Sequence, residues 1–107
     1  MKSRTIDKSD SDSLILRDET HFYDQKAIEV SGAKVQKIAV AFANSDGGEF
    51  IIGIKDSKEE KDPEKRWVGA TKVEDFNSHL QALSEVSPTI DFSCTFLTSQ
   101  VYKGITL

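Results

Sequence analysis

The sequence predicts an α+β fold: a mixed β-sheet covered by two amphipathic helices, in the order β-α-β-β-α-β-β. Three observations carry the prediction. Apolar residues recur at helical spacing in two stretches, Val35, Ile38, Ala39 and Phe42, and Val73, Phe76, Leu80 and Leu83. Between them lies a near-continuous apolar run, Phe50-Ile51-Ile52-Gly53-Ile54, with the length and flanks of a strand buried on both faces. Near the end, Ile90, Phe92, Cys94 and Phe96 alternate with Asp91, Ser93 and Thr95, the period of a half-buried strand. Strands and hairpins interleaved with helices fit an α+β arrangement.

Residues 1–13 hold only two apolar side chains, Met1 and Ile6, among Ser, Asp, Lys and Thr. So little apolar surface predicts a mobile arm, with the ordered domain running over 14–107 from the apolar cluster Leu14-Ile15-Leu16. Residues 21–28 carry Phe22, Tyr23 and Ile28 and suit a strand, on which Asp24 and Lys26 share a face. Ser31 is a suitable N-cap for the first helix, placed over 33–44. Asn44-Ser45-Asp46-Gly47-Gly48 stops it, because glycine accepts the left-handed conformation of a helix end. Residues 50–54 form the buried strand, within which Gly53 signals a bulge or a close backbone approach. Residues 56–66 mix both charges with Pro63 and read as a solvated loop. Trp67-Val68-Gly69 reads as a returning strand. Thr71 and Glu74 have capping-box spacing ahead of the second helix. Thr98-Ser99-Gln100 is a turn, and residues 101–107 still read as strand where the sequence ends, which suggests a fragment of a longer protein.

The chain has 107 residues, enough for one domain with a core of its own. Its single cysteine, Cys94, excludes an intramolecular disulfide and a cysteine zinc site. No stretch approaches the roughly 18 apolar residues of a membrane helix, and the N-terminus lacks a secretory signal, so the expectation is a cytoplasmic protein without a membrane partner. Fourteen Lys and Arg against eighteen Asp and Glu give a net charge of −4. Nucleic-acid binding therefore has to rest on a local basic surface or on metal ions.

The stretch 38–56 is the most informative. Its helix ends in Ala41-Phe42-Ala43-Asn44, the paired glycines Gly47 and Gly48 follow, and the apolar strand ends in Gly53-Ile54-Lys55-Asp56. This pattern resembles the Schlafen AlbA-like domain family, which has valine where Ile54 stands. The family's upstream Glu-x-x-x-x-Glu-x-Lys segment is matched by Glu19, Asp24 and Lys26, with aspartate in place of the second glutamate. Trp67-Val68-Gly69 and Ser87-Pro88 resemble further family features, so the likeness extends over about residues 15–107. It implies a DNA- or RNA-binding module, such as the N-terminal domain of a larger regulatory protein. Some members are ribonucleases that cut with three carboxylates, and the matching positions are Glu19, Asp24 and Asp56.

Two further classes stay open beside the binding module. In a nuclease, Glu19, Asp24 and Asp56 would converge on Mg²⁺ or Mn²⁺, since hard cations take oxygen ligands and relieve carboxylate repulsion. The alternative for these residues is three unrelated surface carboxylates. A protein-interaction or dimerisation domain would suit the acidic balance. For phosphate contact the candidates are Lys26, Lys34, Lys37, Lys55 and Arg66, with no cofactor needed for binding. Lys58, Lys61 and Lys65 are largely cancelled by the acidic residues interleaved with them. The Gly47-Gly48 turn follows a helix, the reverse of a phosphate loop, and reads as a C-cap. Trp67 and Tyr102 read as core before they read as base-stacking groups. A homodimer is expected, because Schlafen nuclease cores pair two related lobes and this chain carries one.

Overall fold

The computed structural model describes residues 2–20, 22–86 and 92–107. His21, Ser87-Pro88 and the Ile90 end of the expected alternating strand lie outside them.

The order is β1 (Lys2–Ile6), α1 (Lys8–Leu16), β2 (Tyr23–Lys26), α2 (Gly32–Asn44), β3 (Glu49–Ile52), α3 (Asn77–Ser84), β4 (Thr95–Ser99) and β5 (Ile105–Thr106). Short 3₁₀ turns occupy Pro63–Lys65 and Val73–Phe76. The fold is α+β, as expected, with one more strand–helix pair at its start. β1 runs parallel to β4, and β5 antiparallel to β4. β2 and β3 form a second, parallel pair. The two sheets meet where the Ile52 N–H donates to the Leu107 carbonyl (2.8 Å) and the Leu107 N–H returns a bond to Ile52 (3.0 Å).

The expected mobile arm is a correction. Residues 2–6 are a strand, and α1 starts at Lys8 with Asp7 as its N-cap, whose Oδ1 accepts the Asp10 N–H at 2.9 Å. A polar helix holds here because Ser11 and Ile15, one turn apart, are both buried. Ile6 plugs the same core.

α2 matches its predicted stripe. Val35, Ile38 and Ala39 are buried, and the Ser31 hydroxyl caps the Lys34 N–H. Phe42 is only half-buried and packs against Phe50. The helix closes through the Ser45 and Gly47 amides, both donating to the Phe42 carbonyl, with Asp46 and Gly47 at positive φ. The second stripe divides: Val73 and Phe76 lie in a 3₁₀ turn, and the cap falls one residue later than expected, the Asp75 carboxylate accepting the Lys72 N–H. The returning strand at Trp67 is a short antiparallel contact, in which the Lys55 N–H donates to Arg66 and the Val68 N–H to Gly53.

β3 separates two apolar cores. Ile51 joins Ile6, Ile15, Tyr23, Ile54 and Trp67 on the α1 side. Ile52 joins Val35, Ala39, Ala70, Phe76 and Leu83 on the α2 and α3 side. This double burial is why the strand reads as an unbroken apolar run. Gly53 lies at φ +112°, and a Cβ there would press on Thr106 at 3.0 Å, the close approach its position suggested.

Candidate nucleic-acid interface and acidic cleft

The end of α1, the segment after it, β2 and the loop following Asp56 enclose a cleft of about 360 Å³. Arg17, Glu19, Gln25, Asp56, Lys58 and Arg66 are among its lining residues. Gln25 is 2% exposed and donates from Nε2 to the Leu14 carbonyl (2.8 Å) and the Tyr23 hydroxyl (3.2 Å). Arg17 lies over the Tyr23 ring at 3.9 Å and reaches Glu49 at 3.4 Å.

Asp56 is buried, and its Oδ1 accepts the backbone N–H groups of Lys58 (2.9 Å) and Glu59 (2.8 Å). The carboxylate therefore caps the turn after the β3 run. Arg66 is also buried. Its Nε donates to the Glu60 carbonyl (2.7 Å), Nη2 to Lys61 (3.1 Å) and Nη1 to Ile15 (3.4 Å). Those bonds staple the loop to α1, and they correct the expectation that Arg66 offers its charge to a phosphate.

Glu19 and Asp56 share the cleft, but Asp24 does not. Side chains alternate along β2, and Gln25 is the residue that enters the cleft. Asp24 points to the other face of the strand, where it pairs with Lys26 at 3.3 Å and accepts the Gln25 N–H on its own Oδ1. Among the described residues no three His, Cys, Asp or Glu side chains come together as a metal-holding group. The donors present do not fit Mg²⁺ or Mn²⁺: one carboxylate is on the wrong face and ion-paired, and a second has one oxygen committed to two amides.

Of the basic candidates, Lys34 and Lys37 are exposed on α2, three residues apart and so on one face. Neither enters an ion pair among the described residues. Lys55 is half-buried. Lys26 is neutralised by Asp24, as their shared strand face allows.

The aromatic pair behaves as core. Trp67 is buried, stacks on Tyr102 at 6.0 Å and donates from Nε1 to the Gly104 carbonyl. The Tyr102 hydroxyl donates to Asp12 at 2.6 Å, which pushes its ionisation up to about 12. Burial raises the Cys94 thiol, a half-buried side chain against the α2-side core. Gln25 and His79 are among the buried polar residues that escape the sequence reading. Gln25 shows no signal beyond its place two residues after Tyr23. His79 sits three residues after Phe76 on the α3 stripe, where its Nε2 bonds the Val30 carbonyl at 2.8 Å and its ring tilts against Phe76.

A family profile described as Schlafen, AlbA_2 matches residues 4–103. No curated protein and no solved structure matches the chain. No helix among the described residues is long and apolar enough to cross a membrane.

Proposed function

The chain belongs to the Schlafen, AlbA_2 family, and from that premise we propose that it is a nucleic-acid-binding module that holds the phosphate backbone of DNA or RNA without cutting it. The observation that carries the reading is the match over nearly the whole chain, residues 4–103. The exposed face of α2 supports it, because Lys34 and Lys37 offer two exposed ammonium groups with no ion pair among the described residues. Binding by charge needs no cofactor. The acidic cleft supports a structural role in preference to a nuclease site, since Asp24 is turned away from Glu19 and Asp56.

Two phosphate contacts predict a specific salt dependence. Each neutralised phosphate of duplex DNA contributes a slope of about −0.9 in log K against log salt, so two contribute about −1.8. The test is fluorescence anisotropy with a labelled duplex and a labelled single-stranded RNA over a range of salt. The double variant Lys34→Gln, Lys37→Gln should weaken binding and flatten the slope by about that amount. Binding unchanged in the double variant, or no binding at low salt, overturns the proposal.

A further inference from the structure

α2 turns different sides to different surroundings. Val35, Ile38 and Ala39 are buried. Gln36 donates from Nε2 to the Ala82 carbonyl at 2.8 Å, and a Cβ on Gly32 would lie 3.1 Å from that of Ala82, so this side packs on α3. The remaining side is exposed and carries Ala33, Lys34, Lys37, Val40, Ala41 and Asn44. At about 3.6 residues per turn these positions fall within about 120° of the helix surface.

Three features of this face say what it fits. The first is charge. α2 holds two lysines and no carboxylate, in a chain with eighteen acidic residues. Glu29 and Asp46, the carboxylates nearest in sequence, lie beyond its two ends. The second is shape. The face is a convex rod, kept slim by Ala33 and Ala41, and it bears no aromatic ring, since Phe42 turns inward against Phe50. Single strands bind by stacking their bases on aromatic side chains, whereas a slim basic rod suits a groove. The third is the helix end. The Ser45 and Gly47 amides close it on the Phe42 carbonyl, which leaves the Asn44 carboxamide outside the cap.

The major groove of B-form DNA admits an α-helix and shows a distinct pattern at each base pair. Adenine presents an N6 donor beside an N7 acceptor, the complement of a carboxamide, and thymine presents a methyl group for apolar contact. On α2 the order is Lys37, Ala41, Asn44, one helical turn apart and nearly in line, with Val40, a valine 40% exposed, beside them. Lys34 to Asn44 spans about 15 Å of helix, the rise of roughly four base pairs. The deep, narrow major groove of A-form RNA does not admit such a helix.

We propose that α2 reads the major groove of duplex DNA. Lys34 and Lys37 hold phosphates on the groove walls, Val40 and Ala41 meet a thymine methyl, and Asn44 pairs with an adenine, its Oδ1 accepting from N6 and its Nδ2 donating to N7. The inference rests on the nucleic-acid reading above and adds to it the duplex, the groove and the base.

The test starts from a DNA duplex pool randomised at its centre, from which the 107-residue chain selects its bound sequences. Selection should enrich a short site containing an A·T pair. Anisotropy then compares the selected duplex with the same duplex carrying 7-deazaadenine at that pair, which removes N7 from the major groove and keeps the base pairing. The parent should lose about fivefold or more in affinity on that replacement. Asn44→Ala should show a similar loss on the unmodified duplex and become indifferent to 7-deazaadenine. Salt-dependent binding with no enriched sequence, or a parent indifferent to 7-deazaadenine, overturns the inference and leaves the phosphate-binding reading standing. Tighter binding to duplex or single-stranded RNA of the same sequence overturns it likewise. No binding to any of these at low salt overturns both.

Discussion

Replacing Asp56 by alanine removes the oxygen that accepts the Lys58 and Glu59 amides, at a residue only 9% exposed. Losing a capping side chain costs about 0.5–2 kcal/mol in general. Two amides lose their shared acceptor here, a buried carboxylate in part-buried bonds, so the expected loss is toward the upper end, about 2 kcal/mol. For a domain of this size that lowers Tm by roughly 8–16 °C. Asparagine keeps an Oδ1 in the same place, so Asp56→Asn should lose less than about 1 kcal/mol. The assay is urea and thermal unfolding of the three proteins in parallel, followed by anisotropy on the folded variants. Because Asp56 is assigned a structural role, Asp56→Asn should bind nucleic acid as well as the parent or slightly better, having shed a negative charge. An asparagine variant as unstable as the alanine variant would refute the capping argument. Metal-dependent cleavage by the parent chain that Asp56→Asn abolishes would refute the assignment of a binder without catalysis.

Phe76, with no exposed surface, should cost about 3–5 kcal/mol when truncated to alanine, while the half-buried Phe42 should cost less; paired urea melts check the order. Gly69→Ala should destabilise strongly, because the new Cβ would lie 2.5 Å from the Ile105 backbone, and circular dichroism melts read the effect. Tyrosinate absorbance should rise only above pH 10 in the folded protein, since hydrogen bonding to Asp12 raises Tyr102 to about 12 and burial raises Tyr23. The sign follows: the folded state favours the neutral Tyr102 phenol, so its contribution is full below about pH 10 and fades as pH climbs toward 12. A tyrosine titrating at or below 10 contradicts that, and Tyr102→Phe should remove the higher of the two transitions.

The central elements were legible because periodicity, cap and turn agreed. Ser31, the apolar stripe of α2, and Asp46 and Gly47 each indicate the same helix with the same end. The isoleucines of β3 declare a strand buried on both sides because each side has its own core. α1 was not legible, since most of its side chains are Ser, Asp or Lys and its docking rests on Ser11, Leu14 and Ile15. Its one local sign was Asp7 ahead of Asp10. β4 begins at Thr95, with Phe92 to Cys94 outside it, and all five of its residues are half-buried, so alternation over the described residues does not mark its extent. For the site, spacing correctly put Asp24 and Lys26 on one face of β2. Spacing could not say which face meets Glu19 and Asp56, and a one-residue difference decides between Asp24 and Gln25. Arg66 looked like a surface cation because its partners are main-chain carbonyls, which leave no trace in side-chain identities.

The pairing of β1 with β4 also fixes how this chain comes together in time. Lys2 lies beside Thr95 and Thr5 beside Thr98, a sequence separation of 93 residues. Closing a loop of that length costs about 4 kcal/mol of chain entropy by the logarithmic law. Against that, β1 contributes one buried side chain, Ile6, and the rungs of a single parallel ladder. The strand can repay the closure only after β4 has been set in place by β5 and the two cores. The expected order is therefore β4 and β5 before β1, with β1 opening ahead of the strands that both cores hold. Slow native-state hydrogen exchange should reach it by a low-energy local opening, well before the amides of β3 are exposed.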